Sequence, residues 1–148
     1  MQLSSYKISD KAEIEALFTR VFSDSEGPSE GELIGNLVSD LIDSTEPGDI
    51  FGYVAIEEEQ IIASIFFSRL TFDSPVEVFI LSPVAVHTDY QGKGIGQKLI
   101  NHGIGQLRDM GVDLVFTYGD PNFYSKTGFR WIAQDMARAP FELSQAEG

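Results

Sequence analysis

The sequence predicts an α/β fold: one domain over residues 1–148, a mixed β-sheet with helices on both faces. Three observations lead there. A length of 148 residues suits one domain with a full core, and 43% hydrophobic content is ordinary for a globular chain. Apolar residues recur at helical spacing in some stretches and at strand spacing in others. A strand, a glycine-rich turn, a helix and a second strand follow one another from Leu81 to Tyr118. That crossover calls for a parallel pair, whereas the earlier strands are joined by tight turns and call for antiparallel ones.

Taken in order, Leu3 to Ile8 reads as a first strand, with Leu3, Tyr6 and Ile8 pointing inward. Ser9 or Asp10 caps a helix, and Glu13 stands at capping-box distance from Asp10. Ile14, Leu17, Phe18, Val21 and Phe22 form its apolar face. Gly27-Pro28 breaks the pattern, and a second helix carries Leu33, Ile34, Leu37, Val38, Leu41 and Ile42 on one stripe. Pro47-Gly48 ends it. Ile50 to Glu57 and Ile61 to Leu70 are two strands of a hairpin turned at Glu58-Glu59-Gln60.

After a turn at Asp73-Ser74-Pro75, Val76 to Val86 is a long strand. Pro83 interrupts it and cannot donate to a sheet ladder, so pairing is expected to fail there. The helix that follows buries Ile95, Leu99, Ile104 and Leu107, and Val112 to Tyr118 is the crossover's second strand. Gly119-Asp120-Pro121 opens a short helix that Gly128 ends, Phe129 to Ile132 is a further strand, and Met136 to Gly148 trails into a polar tail.

Several function classes are excluded early. With no cysteine there is no disulfide, thiolate metal site or Cys nucleophile, and two histidines, His87 and His102, are too few for a His-based metal site. No metal is expected. A formal net charge of −13 argues against nucleic acid as the main partner. No apolar run approaches membrane-spanning length and the first residues lack a signal-peptide core, so a cytoplasmic protein without a membrane partner is expected. A homodimer stays open. The charge is uneven: residues 1–60 hold 14 of 23 acidic and 3 of 10 basic residues, a net of −11, which would favour a cationic partner or simply keep the chain soluble.

The chemistry concentrates between Leu81 and Gly96. A helix that starts inside a glycine-rich turn offers unpartnered N–H groups and partial positive charge, which suits a phosphate. A Walker A loop fails, because Lys93 sits between glycines and no Ser or Thr follows at the required place. A dinucleotide fingerprint fits poorly, because Gly92, Gly94 and Gly96 give G-x-G-x-G and lie late in the chain. What matches is Val84-Ala85-Val86 followed by Gln91-Gly92-Lys93-Gly94-Ile95-Gly96, with its Q/R-x-x-G-x-G/A pattern. It resembles the acetyl-CoA signature of the GNAT (GCN5-related) N-acetyltransferases, and the Leu81–Val86 form is similar to the YhbS-like branch. A second stretch, Tyr118 to Phe129, resembles the family's late motif, Y-x-x-x-G-F, through Tyr124, Gly128 and Phe129.

That resemblance implies a GNAT fold, acetyl-CoA as cosubstrate, and transfer of acetyl to the primary amine of a small-molecule or peptide acceptor. It implies that Gln91, Gly92, Lys93, Gly94, Ile95 and Gly96 hold the pyrophosphate, and that an N–H at Ala85 or Val86, next to Val84, polarises the thioester. It also implies that Tyr124 is the acid that protonates the departing thiolate; otherwise Tyr124 is a core aromatic beside Phe123 and Phe129. The two early helices and their connection, with Glu26 and Glu30, would face the acceptor, unless those acids only complement helix dipoles.

The base is not readable: Glu77 and Asp120 are candidates, His87 reads as a loop residue and His102 as an exposed helix residue. Where many members carry an Asn, seven residues before the Tyr, this chain has Thr117, and Asn122 is out of register. A non-catalytic acyl-CoA-binding regulatory module is the alternative function.

Overall fold

Each strand pairs with its neighbour in sequence, giving the order β1-β2-β3-β4-β5. The strands are β1 (Gln2–Ser5), β2 (Ile50–Glu57), β3 (Gln60–Leu70), β4 (Val78–Val86) and β5 (Leu114–Thr117). The helices are α1 (Lys11–Glu26), α2 (Pro28–Ser44) and α3 (Ile95–Asp109). This is a computed structural model, and it describes residues 1–70, 78–112 and 114–117. The first three pairings are antiparallel and β4–β5 is parallel, the mixed sheet the sequence predicts.

Both sheet faces are covered, which explains why β2 and β3 are apolar at nearly every position. On one face α3 lays Leu99, Ile100, Ile104 and Leu107 on Tyr53, Ile65 and Phe67. Gly103 lets it come that close, because a Cβ there would stand 2.6 Å from the Phe67 ring. His102, expected to be exposed, is half-buried with its ring edge-on to Tyr53 at 5.6 Å. On the other face α1 and α2 bury Ile14, Phe18, Val38 and Ile42 against Val54, Phe66 and Ala85. Each such side chain contributes roughly 1.5–3 kcal/mol.

Three local expectations are corrected. β1 ends at Ser5, and Ile8, expected to point inward, is 70% exposed. The chain turns there, and the Asp10 carboxylate accepts from the Lys7 N–H at 2.9 Å instead of capping α1. No capping box forms between Asp10 and Glu13. Glu13 Oε2 instead accepts from the Ile61 N–H at 2.8 Å, tying α1 to the start of β3.

The third correction concerns α2. It begins at Pro28, and of the expected stripe Ile34, Val38, Leu41 and Ile42 do pack on the core, joined by Gly31 and Gly35. Leu33 is 60% and Leu37 49% exposed. The glycines decide the rotation. A Cβ on Gly31 would collide with Ser23 Oγ, and one on Gly35 with Thr19 Oγ1, so α1 and α2 touch almost backbone to backbone. Leu33 and Leu37 are carried to the outer side.

This packing yields a paired stability prediction. Gly31→Ala gains helix propensity but overpacks against α1, where about 1–3 kcal/mol is lost. Gly105→Ala, at a helical position with no atom near the added Cβ, gains about 0.5–1 kcal/mol. Thermal melts should therefore move in opposite directions, down for Gly31→Ala and up for Gly105→Ala.

Candidate active site

β4 is paired differently on its two sides. Toward β3 the ladder runs from Leu70↔Val78 to Ala63↔Val86, with a register shift where Ser82 and Pro83 stand opposite Phe66. The shift falls where Pro83 was expected to interrupt pairing. Toward β5 the parallel pairing among the described residues runs from Val78↔Leu114 to Leu81↔Thr117.

Alternation along the strand then fixes which amides face which side. The His87 N–H donates to the Ile62 carbonyl at 2.7 Å. Ala85, two residues back and opposite Ser64, faces β3 in the same way. Val86 lies between them, so its N–H and C=O both point away from β3. The Val86 carbonyl accepts from Gln91 Nε2 at 3.0 Å, as that orientation requires.

A tightly bonded turn follows. The Tyr90 N–H donates to the His87 carbonyl at 2.8 Å, and the Asp89 N–H donates to His87 Nδ1 at 3.1 Å. A neutral His87 therefore carries its proton on Nε2. Thr88 Oγ1 donates to Asp24 Oδ2 at 2.9 Å, fastening the turn to the end of α1. Gly92 and Gly94 have φ of 79° and 78°, a left-handed backbone that favours glycine. α3 starts at Ile95, and its first turn closes with Lys98 N–H to Gly94 O at 3.1 Å. The amides of Ile95, Gly96 and Gln97 precede any carbonyl of their own helix.

Strand end, turn and helix start enclose a cavity of about 460 Å³. Val84, Ala85, Val86, Gln91, Gly92, Gly94, Ile95 and Gly96 line it. Lys93 does not; its ammonium lies 5.5 Å from the centre of the Tyr90 ring. Val21 of α1, Tyr90 and Gln97 also line the cavity, and sequence reading missed them. Tyr90 and Gln97 flank the glycine pattern and could have been found by adjacency. Val21 comes from a distant helix.

The cavity suits a pyrophosphate-bearing thioester. No protein atom lies within 4 Å of where a Cβ on Gly92 or Gly94 would stand, so the backbone there is open to close approach. The helix N-terminus supplies positive potential and the Val86 amide a directed donor.

The remaining candidates lie elsewhere. His87 borders a separate small cavity with Glu13 and Arg20. Glu26 is exposed and Glu30 partly so, and neither lines the main cavity. Tyr124, Glu77, Asp120 and Asn122, with the late motif, lie outside the described residues, and Thr117 is described only as the last residue of β5. Among the described residues, no group of acidic or His side chains could hold a metal, and no helix is long and apolar enough to cross a membrane.

A site of this kind, on a mixed sheet, belongs to a coenzyme A-dependent acyltransferase. Residues 48–131 match the family described as acetyltransferase (GNAT) domain. The chain is 36% identical over 142 residues to the uncharacterized N-acetyltransferase YjhQ of Escherichia coli strain K12, covering 93% of this chain and 74% of that one. Its structure is similar to a GNAT acetyltransferase from Brucella melitensis in complex with acetyl-CoA, with a TM-score of 0.76, 30% identity, and 86% and 81% of the two chains covered. It is also similar to Escherichia coli YhbS in complex with CoA, with a TM-score of 0.70, 30% identity, and 86% and 67% covered. The chain belongs to the GNAT acetyltransferases and is an enzyme that uses acetyl-CoA.

Replacing Gly94 tests the loop. Gly94→Val strains a left-handed position by about 1–2 kcal/mol and puts a branched side chain where the backbone is bare. The variant should fold with a lower melting temperature and lose the thermal stabilisation that CoA gives the parent. Parent-like CoA affinity would remove the loop from the binding site.

Proposed function

We propose that the protein moves an acetyl group from acetyl-CoA directly to the primary amine of a cationic acceptor. The observation that carries this reading is the Val86 amide. It faces the cavity at one end, and the glycine-bordered start of α3 closes the other.

The amine nitrogen attacks the thioester carbonyl carbon. The oxygen gains negative charge and takes a hydrogen bond from the Val86 N–H. The carbon–sulfur bond then breaks, the thiolate takes a proton from the Tyr124 phenol, and the new amide nitrogen gives its surplus proton to water, which returns one to the Tyr124 phenolate. With no cysteine in the chain, a thioester-linked enzyme intermediate has no nucleophile, which supports direct transfer. Gln91 to Gly96 hold the pyrophosphate, and the Y-x-x-x-G-F match supports Tyr124 as the acid.

The acceptor's charge is inferred from the acidic first sixty residues. Part of that charge is internally paired, as in Lys11 with Asp43 at 2.8 Å. Glu26 and Glu30 at the α1–α2 junction make no ion pair among the described residues.

An acceptor screen that reads CoA release tests the function. A cationic amine should be the best acceptor, and its KM should rise with salt as screening weakens the attraction. A neutral or anionic best acceptor would sink the charge argument. A parent that binds acetyl-CoA but turns over no acceptor would mark a binding module instead. Tyr124→Phe should keep CoA affinity and lower turnover by a factor on the order of 10²–10⁴. A thiol pKa near 8.5 makes the lower end the expected one, because the thiolate leaves fairly well unaided. Unchanged turnover would remove the acid role.

A further inference from the structure

Gln91 is exposed, and a glutamine in that setting ordinarily samples several rotamers in water. Here its side chain folds back across the turn and donates to Val86 O at 3.0 Å. The peptide between Val86 and His87 is thereby held from both sides. Its N–H bonds to Ile62 of β3 at 2.7 Å, and its C=O bonds to the residue that opens the glycine loop. The backbone of Gln91 is held less firmly, with its N–H 3.4 Å from the Thr88 carbonyl. The side-chain bond is thus the tighter link between the end of β4 and the loop.

We propose that Gln91 is a positioning residue: its side-chain amide sets the distance between the phosphate-holding loop and the Val86 N–H. This rests on the reading of Val86 as the donor to the thioester oxygen. The arm joining pyrophosphate to thioester has a fixed covalent length. Where the loop sits therefore decides whether the carbonyl oxygen meets the Val86 N–H. Loosening the loop leaves the phosphate grip intact and misplaces the reacting carbonyl, and an error of roughly 1 Å costs about 10²-fold in rate.

The variants are Gln91→Leu, which keeps much of the size and loses the donor, and Gln91→Arg, which brings a donor back. The probe is acetyl-CoA labelled with carbon-13 at the thioester carbonyl, read by NMR, with CoA affinity measured by calorimetry. Bound to the parent, the carbonyl should resonate downfield of free acetyl-CoA. In Gln91→Leu the resonance should return toward the free value, while turnover of the best acceptor falls by roughly 10–10². CoA affinity should stay within about threefold, because the loop amides are untouched. Gln91→Arg should restore the carbonyl shift and most of the turnover.

A parent-like carbonyl shift in Gln91→Leu would overturn the proposal. So would a loss of CoA affinity in step with turnover that Gln91→Arg does not repair, since Gln91 would then serve only the phosphate. A parent that binds acetyl-CoA with no carbonyl shift would overturn the Val86 reading and this proposal with it. Failure to bind acetyl-CoA at all would instead defeat the cavity assignment, so the readings fail in distinguishable ways.

Discussion

The site depends on one constraint: past Leu81 the alternation along β4 turns the Val86 N–H and C=O away from β3 and toward the cavity. A central strand ordinarily spends its N–H and C=O groups on both neighbours. Here the shift opposite Phe66, where Pro83 has no N–H to give, comes just past the last parallel pair among the described residues, Leu81 with Thr117. Past the shift, Val84, Ala85 and Val86 line the cavity. The direction of the Val86 amide, the Gln91 contact and the approach to α3 all follow from that stretch.

A backbone group that faces a cavity is costly when left without a partner, by about 1–3 kcal/mol. Side-chain burial offsets that cost. Below the shift, Val78, Phe79 and Leu81 are buried. Above it, Ala85 lies under the α1–α2 face and Val84 and Val86 pack on the α3 cluster. The strand is gripped from both faces of the sheet. Asp24 on Thr88 and Glu13 on Ile61 add polar fastenings from α1, at the turn and at the start of β3. The helix that lends Val21 to the cavity wall is therefore tied to the loop it faces.

How much of this was legible in the sequence depended on distance along the chain. The face of α3 and the β2–β3 hairpin were readable because period and turn chemistry are local properties. The glycine-rich turn was readable because glycine at a left-handed position is a local requirement too. The rotation of α2 was not. Ile34, Val38, Leu41 and Ile42 pack as the stripe requires, but Gly31 and Gly35 permit a closer approach that carries Leu33 and Leu37 outward, where tertiary packing prevails over periodicity. Glu13 looked like a capping-box acid, yet it bonds an amide 48 residues away, which no local rule anticipates. Between Ala85 and Val86 as donor the sequence could not choose. The parity of the strand, visible in the bond from His87 to Ile62, turns the Val86 amide and not that of Ala85 away from β3.

One electrostatic question follows from the composition: how a chain with net charge −13 holds a polyanionic cosubstrate. Screening supplies most of the answer. At physiological ionic strength exposed charges more than about 8 Å apart barely interact, so net charge matters less than what lies beside the loop. The acidic excess belongs to residues 1–60, which build β1, α1, α2 and β2. The loop comes from the nearly neutral remainder. Beside it stand Lys93, Lys98 and the start of α3, where the dipole adds roughly half a positive charge. α1 reaches the cavity with Val21, an apolar residue, while Asp24 on the next turn is engaged by Thr88 and lies 3.8 Å from Arg20. α1 thus meets the cavity through a neutral side chain, and Asp24, one turn further on, is already partnered. The same fold can then present a locally positive cradle to the cosubstrate and a negative surface away from it.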